Sequence, residues 1–337
     1  MQNRYVGDIG DFGKYGLLRR LCADDLSLGV VWYLVPDEGS DGNGAHVGYL
    51  DPTSTNLRRF SYCDPDLYDA LGEVVHNGTR SVRRVSERAI LPPGTVFYEE
   101  PLSFEGMPGI GSAATKSRLD HRSDWVQGAL EATQGCDVVF ADPDNGLESG
   151  TPRHHRKGPK FAYYDELVPY LKRGQSLVIY HHLHRSYSTK QQVRERLAQI
   201  HERLGESFAL LYKRGSPRVF FVVPSEAHRR VFSERARRPM EGCWGQHFAL
   251  DGTEEAYSAQ GQRDDGNRLY QPERTEGGPA HRFGRHRPQP VRLRPSLQPL
   301  RARVRGERFR HLAAQVPQLP GRRSGAFGTV ACRFIPP

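Results

Sequence analysis

Asp137-Val138-Val139-Phe140-Ala141-Asp142-Pro143-Asp144-Asn145-Gly146 is the stretch on which the reading of this chain turns. Its first half is apolar, β-branched and aromatic, the signature of a buried strand. An acid, a proline and an Asn-Gly pair then end it. In an α/β sheet that pattern presents a carboxylate at the C-terminal end of a strand, where ligands and chemistry gather. The same residues also suit an ordinary strand followed by a Pro/Asn/Gly turn.

Similar punctuation recurs on either side. A helix is expected from Asp11 to Cys22, with Asp11 as a candidate N-cap. Val30 to Val35 reads as a buried strand running into a polar, glycine-rich loop from Asp37 to Gly44. Residues 64–76 carry Leu67, Leu71 and Val74 or Val75 at helical spacing. Thr95 to Tyr98 is a short strand, and residues 103–118 form a glycine-rich loop. Ser123 caps a helix bearing Trp125, Val126, Ala129 and Leu130. Beyond Asp142, helix Tyr164–Leu171, strand Ser176–Tyr180 and helix Ser188–Leu204 follow. A hairpin then joins Phe208–Tyr212 to Arg218–Val223 through Lys213-Arg214-Gly215-Ser216-Pro217, and residues 225–238 form a basic helix. Strands alternating with helices, closed by a hairpin, predict an α/β fold: a Rossmann-like, mostly parallel sheet with a C-terminal antiparallel hairpin at its edge.

The formal charge of +9 is concentrated at one end. Residues 250–337 hold 16 Arg, no Lys and 8 acids, while the remainder is nearly neutral. Rich in Arg, Pro and Gly and without periodicity, residues 246–337 are expected to be a disordered tail. So abrupt a change is also what a shifted reading frame in a GC-rich gene produces. The α/β domain is accordingly placed at residues 1–245. Five scattered cysteines without a CxxC pair argue against a zinc ribbon or a disulfide framework. No apolar run reaches the ~18 residues of a membrane span, and the acidic N-terminus does not read as a signal peptide. A cytoplasmic protein without membrane contact is the expectation; the oligomeric state is left open.

Two motifs, with the polar and aromatic side chains near them, can carry chemistry. Gly7-Asp8-Ile9-Gly10-Asp11-Phe12-Gly13-Lys14 combines glycines, which let backbone approach a ligand, with acids and one lysine. Asp142 and Asp144 can orient or accept a proton from an amine or hydroxyl nucleophile. With Glu148 and His181 they can instead hold a divalent metal and activate water, as in a phosphodiesterase or nuclease. Because His181 and His182 alternate along a strand, at most one of them faces a given site. Phe161, Tyr163, Tyr164 and Tyr180 can stack a base, and Arg153, Arg156, Lys157 and Lys160, with Lys213, Arg214 and Arg218 from the hairpin, can touch phosphates.

The order of these parts resembles the bacterial 23S rRNA adenine-N6 methyltransferase J family, a class I S-adenosylmethionine-dependent group. That family opens on Phe-x-x-Gly-Asn-x-x-Asp-x-x-Lys-His; Gly7, Asp11 and Lys14 match it in spacing, with Asp8 in place of Asn and Tyr15 in place of His. Tyr33-Leu34 followed by Gly39 to Gly44 is similar to its first strand and loop. Asp142-Pro143-Asp144-Asn145 stands where the family has Asp-Pro-Pro-Tyr. The likeness spans residues 4–224. It implies a methyltransferase fold that binds S-adenosylmethionine through Gly7, Asp8, Lys14, Tyr15, Asp37 and Gly39. Asp142, Asp144 and Asn145 would then serve the acceptor, a nucleic acid or nucleotide, without a metal. A binding module that keeps this scaffold without catalysis is the remaining reading.

Overall fold

The computed structural model describes residues 1–250 other than 24, 40–43 and 185–186. The expected disorder of residues 251–337 lies outside the described residues.

Nine strands occur among them: β1 (Leu28–Trp32), β2 (Val96–Tyr98), β3 (Val138–Asp142), β4 (Gly146–Leu147), β5 (Phe161–Ala162), β6 (Ser176–His182), β7 (Phe208–Tyr212), β8 (Arg218–Val223) and β9 (Phe248–Leu250). Eight helices accompany them: α1 (Ile9–Cys22), α2 (Ser54–Asn56), α3 (Pro65–His76), α4 (Val82–Glu87), α5 (Ser112–Ala132), α6 (Tyr164–Lys172), α7 (Thr189–Leu204) and α8 (Arg229–Glu241). Seven strands form one sheet in the order β2-β1-β3-β6-β8-β7-β9, and β4 and β5 form a small parallel pair.

The expected α/β class and mostly parallel sheet are what the chain adopts. Strands β2, β1, β3 and β6 run parallel, while β8 is antiparallel to both β6 and β7. The hairpin is therefore not a simple edge. Its second strand, β8, inserts between β6 and β7, so β7 runs in the same sense as β6. Strand β9 then pairs with β7, from Tyr212↔Phe248 to Leu210↔Leu250. It lies just past residue 245, where the sequence reading ends the domain.

Period-2 alternation divides the core. Val30, Trp32, Val138, Phe140, Val178 and Phe220 face α1, α3 and α8. Val31, Tyr33, Val139, Ala141, Ile179 and Phe221 face α5, α6 and α7. Both sheet faces are covered, which is why the strands read as unbroken apolar runs.

Helix α1 sits unusually close to the sheet. A Cβ on Gly10 would fall 1.6 Å from Nη1 of Arg218, one on Gly13 2.4 Å from the Tyr212 ring, and one on Gly16 1.9 Å from the Trp244 indole. These three glycines thus form a helical stripe that admits side chains from β8, β7 and the turn before β9; they are not a ligand-binding loop. The N-cap is Asp8 rather than Asp11: Asp8 Oδ1 accepts from the backbone N–H of Gly10 at 2.8 Å and of Asp11 at 3.1 Å.

Two further expectations are corrected. Helix α5 begins at Ser112, within the expected loop, and Ser123 lies in its middle rather than at its cap. Its buried stripe of Ala114, Arg122, Trp125 and Ala129 contains an arginine, which breaks the apolar signal. Arg122 is held there by both carboxylate oxygens of Glu166, at 2.6 and 2.9 Å, and by the carbonyls of Gly158 and Phe161. Cys63 and Cys243 are joined as a disulfide across 180 residues, whereas Cys22 and Cys136 are free and buried. Among the described residues no helix is long and apolar enough to cross a membrane.

The glycine stripe makes a direct prediction. Gly13→Ala should destabilise by about 1–3 kcal/mol, the usual cost of overpacking. In helix α3 a Cβ on Gly72 would meet nothing closer than His76 Nδ1 at 3.9 Å, so Gly72→Ala should stabilise by about 0.5–1 kcal/mol. Urea unfolding midpoints of the two variants should move in opposite directions.

Candidate functional site

Strand β1 lies between β2 and β3, so the chain's crossovers diverge there, and the C-terminal ends of β1 and β3 flank a topological switch point. Beside it opens a cavity of about 230 Å³. Asp142, Asp144 and Asn145 line it from β3 and its turn, Tyr180 and His182 from β6, Asp8, Asp11 and Lys14 from the start of α1, and Arg218 from β8.

The N-terminal and mid-chain motifs meet through one side chain. Lys14 Nζ lies 2.8 Å from Asp142 Oδ2 and 2.8 Å from Asp11 Oδ1. Three aromatic rings surround it, Tyr15 and Trp32 at 5.5 Å and Tyr180 at 5.7 Å from centroid to ammonium. Burial opposes the charge, but Asp11 and Asp142 outweigh it and raise Lys14 above the ordinary lysine value. Burial likewise raises the Asp142 carboxyl against the pull of Lys14. Asp142 Oδ1 has no hydrogen-bond partner among the described residues, so one acceptor of a lysine-anchored carboxylate faces the cavity.

A second ion pair stands beside the first. Arg218 Nη2 lies 3.2 Å from Asp8 Oδ2. Asp144 receives Gln2 Nε2 at 3.0 Å and Lys160 Nζ at 3.1 Å. Burial pushes its carboxyl up, but the Met1 amino group, Lys160 and Gln2 together hold it below the usual carboxylate range. Asp144 Oδ2 is thus engaged by the chain itself, whereas its buried Oδ1 has no hydrogen-bond partner among the described residues. Asn145 gives its backbone N–H to Lys160 O at 2.9 Å and takes that of His182 at 3.3 Å; its side-chain amide is unpartnered among the described residues. Asp142 Oδ1 and the Asn145 amide are thus left for a guest, and the buried Asp144 Oδ1 and Arg218 Nη1 are likewise without a hydrogen-bond partner among the described residues. Tyr180, pushed up to about 12 by burial, keeps its phenolic proton.

Of the residues expected to bind a cofactor, Asp8 and Lys14 line the cavity. Gly7 and Tyr15 lie behind it: Gly7 O accepts from Tyr49 at 3.2 Å, and the Tyr15 hydroxyl donates to Asp11 at 3.0 Å. Asp37 and Gly39 are on the surface, where they accept from Arg4. The metal constellation is not brought together. His181 points to the opposite sheet face, its Nδ1 accepting from the Leu147 N–H at 3.0 Å. Glu148 sits among Tyr164, Arg196 and Arg203. No group of three His, Cys, Asp or Glu among the described residues is arranged to hold a metal ion. Lys160 and the Nη2 of Arg218, read in the sequence as phosphate contacts, are paired with carboxylates instead.

Met1 and Gln2 were not expected at the site. The Met1 amino group donates to Tyr33 O at 2.7 Å and to Asp142 O at 3.3 Å, seating these two residues between the ends of β1 and β3. Nothing in the local sequence marks them. Only the unbonded edges of two strand ends, far apart in the chain, explain their position. His46 and Tyr5 complete the wall. The chain matches no model of a known protein family and no curated protein.

Two predictions follow from the buried charges. Lys14→Met leaves Asp11 and Asp142 without their cation and should destabilise by about 3–5 kcal/mol, read as a lower urea midpoint at pH 7. His181, mainly through burial, is depressed from 6.5 to about 3. The unfolded chain therefore takes up this proton first, so the stability of the neutral ring is present above pH 6.5 and is lost as pH falls towards 3. Stability should decline by about 1.4 kcal/mol per pH unit from this residue in that window, and His181→Asn should flatten the decline.

Proposed function

We propose that the chain is an S-adenosylmethionine-dependent methyltransferase-like protein acting on an amine of a nucleic acid or nucleotide. The carrying observation is the pair of free groups at the end of β3: a carboxylate oxygen of Asp142 and the amide of Asn145, in a cavity reached also by Tyr180. A carboxylate acceptor beside an amide matches the edge of a nucleobase, in which an exocyclic N–H adjoins a ring nitrogen. Asp142 orients that amine by accepting one of its protons, Asn145 hydrogen-bonds the neighbouring ring atom, and the Tyr180 ring offers a stacking face.

Charge supports the same reading. Asp8, Asp11, Asp142 and Asp144 line the cavity against the side-chain cations Lys14 and Arg218. Such a wall favours a cationic or proton-donating guest over a phosphate. It suits a sulfonium, and the bound cofactor supplies the methyl group together with a good leaving group. A volume of about 230 Å³ is below the roughly 300–1,000 Å³ of complete ligand pockets. It accommodates a base or the amino-acid arm of the cofactor; the rest of the cofactor requires the crevice that Met1 and Gln2 fill.

Isothermal titration with S-adenosylmethionine should give a saturable heat, and hydrogen exchange over residues 1–6 should rise as the ligand enters. No heat at millimolar ligand removes the proposal. With tritiated cofactor and total nucleic acid or nucleotides as acceptors, Asp142→Asn should lower transfer by at least about 100-fold while the binding heat persists.

A further inference from the structure

A second cavity, of about 240 Å³, opens on the other face of the sheet at the end of the same strand β6. His181 forms part of its wall, with Gln191, Gln192, Glu195, Arg196 and Gln199 from helix α7. The methyl-transfer reading uses none of these side chains.

His181 is built to be a fixed donor. Its ring is 7 % exposed and packs against Phe221, with centroids 5.8 Å apart. Nδ1 accepts the Leu147 N–H at 3.0 Å, so in the neutral imidazole the proton must reside on Nε2. Burial first, then the Arg196 charge, depress the ring to about 3, and it stays neutral throughout the physiological range. The approach of the β4 backbone that makes this bond demands glycine: Gly146 has φ of +112°, and a Cβ there would lie 2.2 Å from His181 Nδ1. Nε2–H has no partner among the described residues. With Nδ1 turned to Leu147, Nε2–H is the ring's remaining polar group at the wall of the cavity, held there by a positive-φ glycine and a backbone hydrogen bond.

Arg196 supplies the matching cation. Its Nη1 donates to Glu148 O at 2.9 Å, Gln199 Oε1 at 2.9 Å and Tyr164 Oη at 3.3 Å. The guanidinium is thus anchored at one nitrogen, while Nη2 and Nε are unpartnered among the described residues. Gln192, Arg196 and Gln199 recur at i, i+4 and i+7, on one face of α7. Glu195, whose Oε1 accepts from Gln191 at 2.7 Å, adds one negative charge at the wall. One cation, one carboxylate and a neutral donor suit a singly charged planar oxyanion and disfavour a phosphate dianion.

We propose that this cavity binds the carboxylate group of a small-molecule ligand, one oxygen accepting from His181 Nε2–H and the other from the free N–H groups of Arg196. The proposal does not rest on methyl transfer. It does place a ligand beside the machinery of the first site, because the turn that carries Asp142 and Asn145 continues directly into Gly146 and Leu147, the residues that hold His181.

The test uses the full-length chain labelled with ¹⁵N-histidine. Acetate and, separately, inorganic phosphate are titrated at pH 8 and constant ionic strength while the His181 side-chain ¹⁵N–¹H signal is followed. Acetate should shift the Nε2–H resonance saturably, phosphate should act at least tenfold more weakly, and Arg196→Gln should weaken acetate at least tenfold while leaving the His181 signal in place. No saturable acetate shift overturns the proposal, as does phosphate binding equal to or tighter than acetate, or an Arg196→Gln variant that binds acetate unchanged. Because Arg196 is partly exposed, this variant tests the site without removing the buried histidine.

Discussion

A single buried ammonium joins the two halves of the candidate site. Lys14 belongs to the first helix and Asp142 to the end of a central strand, and their contact bridges 128 residues of chain. Removing two full charges from water is expensive, and their attraction offsets this only when the remaining valences are also met. On the lysine side they are: Asp11 takes a second side of the ammonium, and three aromatic rings close the rest. The neighbouring Arg218–Asp8 pair repeats the arrangement one turn nearer the helix start. Together they form two ion pairs side by side, with Asp8 and Asp11, whose charges repel, between the two cations.

These pairs set the position of α1, and the position of α1 explains its composition. For Asp8, Asp11 and Lys14 to reach the strand ends, the helix must lie nearly on the sheet. Alanine or anything larger at Gly10, Gly13 or Gly16 would displace Arg218, Tyr212 or Trp244. The glycines thus shape the candidate site indirectly, through helix–sheet distance. Strand alternation does the complementary work at β6. Tyr180 and His182 reach one cavity and His181 the other, so one strand end serves two separate chambers.

The central strands were legible because both faces of the sheet are covered: β1, β3, β6 and the β7–β8 hairpin stand out as apolar β-branched runs. The meeting of Lys14 with Asp142 was legible too, since both belong to motifs dense in glycine and acid. What stayed hidden depended on partners distant in the chain. Arg122 reads as a surface residue until Glu166 and two carbonyls are set around it, and with it went the first half of α5. Glycines spaced three apart look like a loop unless the rings that fill their notches are known. Lys160 and Arg218 looked like phosphate ligands because their carboxylate partners, Asp144 and Asp8, are remote in sequence. Met1, Gln2 and β9 carry no periodic signal at all, being held by backbone edges that only the assembled sheet provides.

The Cys63–Cys243 link closes a loop that contains α3 to α8 and every strand except β1 and β9. Most of the described residues therefore lie within one covalent ring. For such a ring the denatured chain loses much of its freedom, and the entropic gain grows only slowly with size, to about 4.7 kcal/mol for a 100-residue loop in the simplest treatment. The more tangible result is mechanical. A protease that nicks any loop inside the ring severs the backbone without parting the fragments, so the two pieces still migrate together until a reductant reaches the bridge.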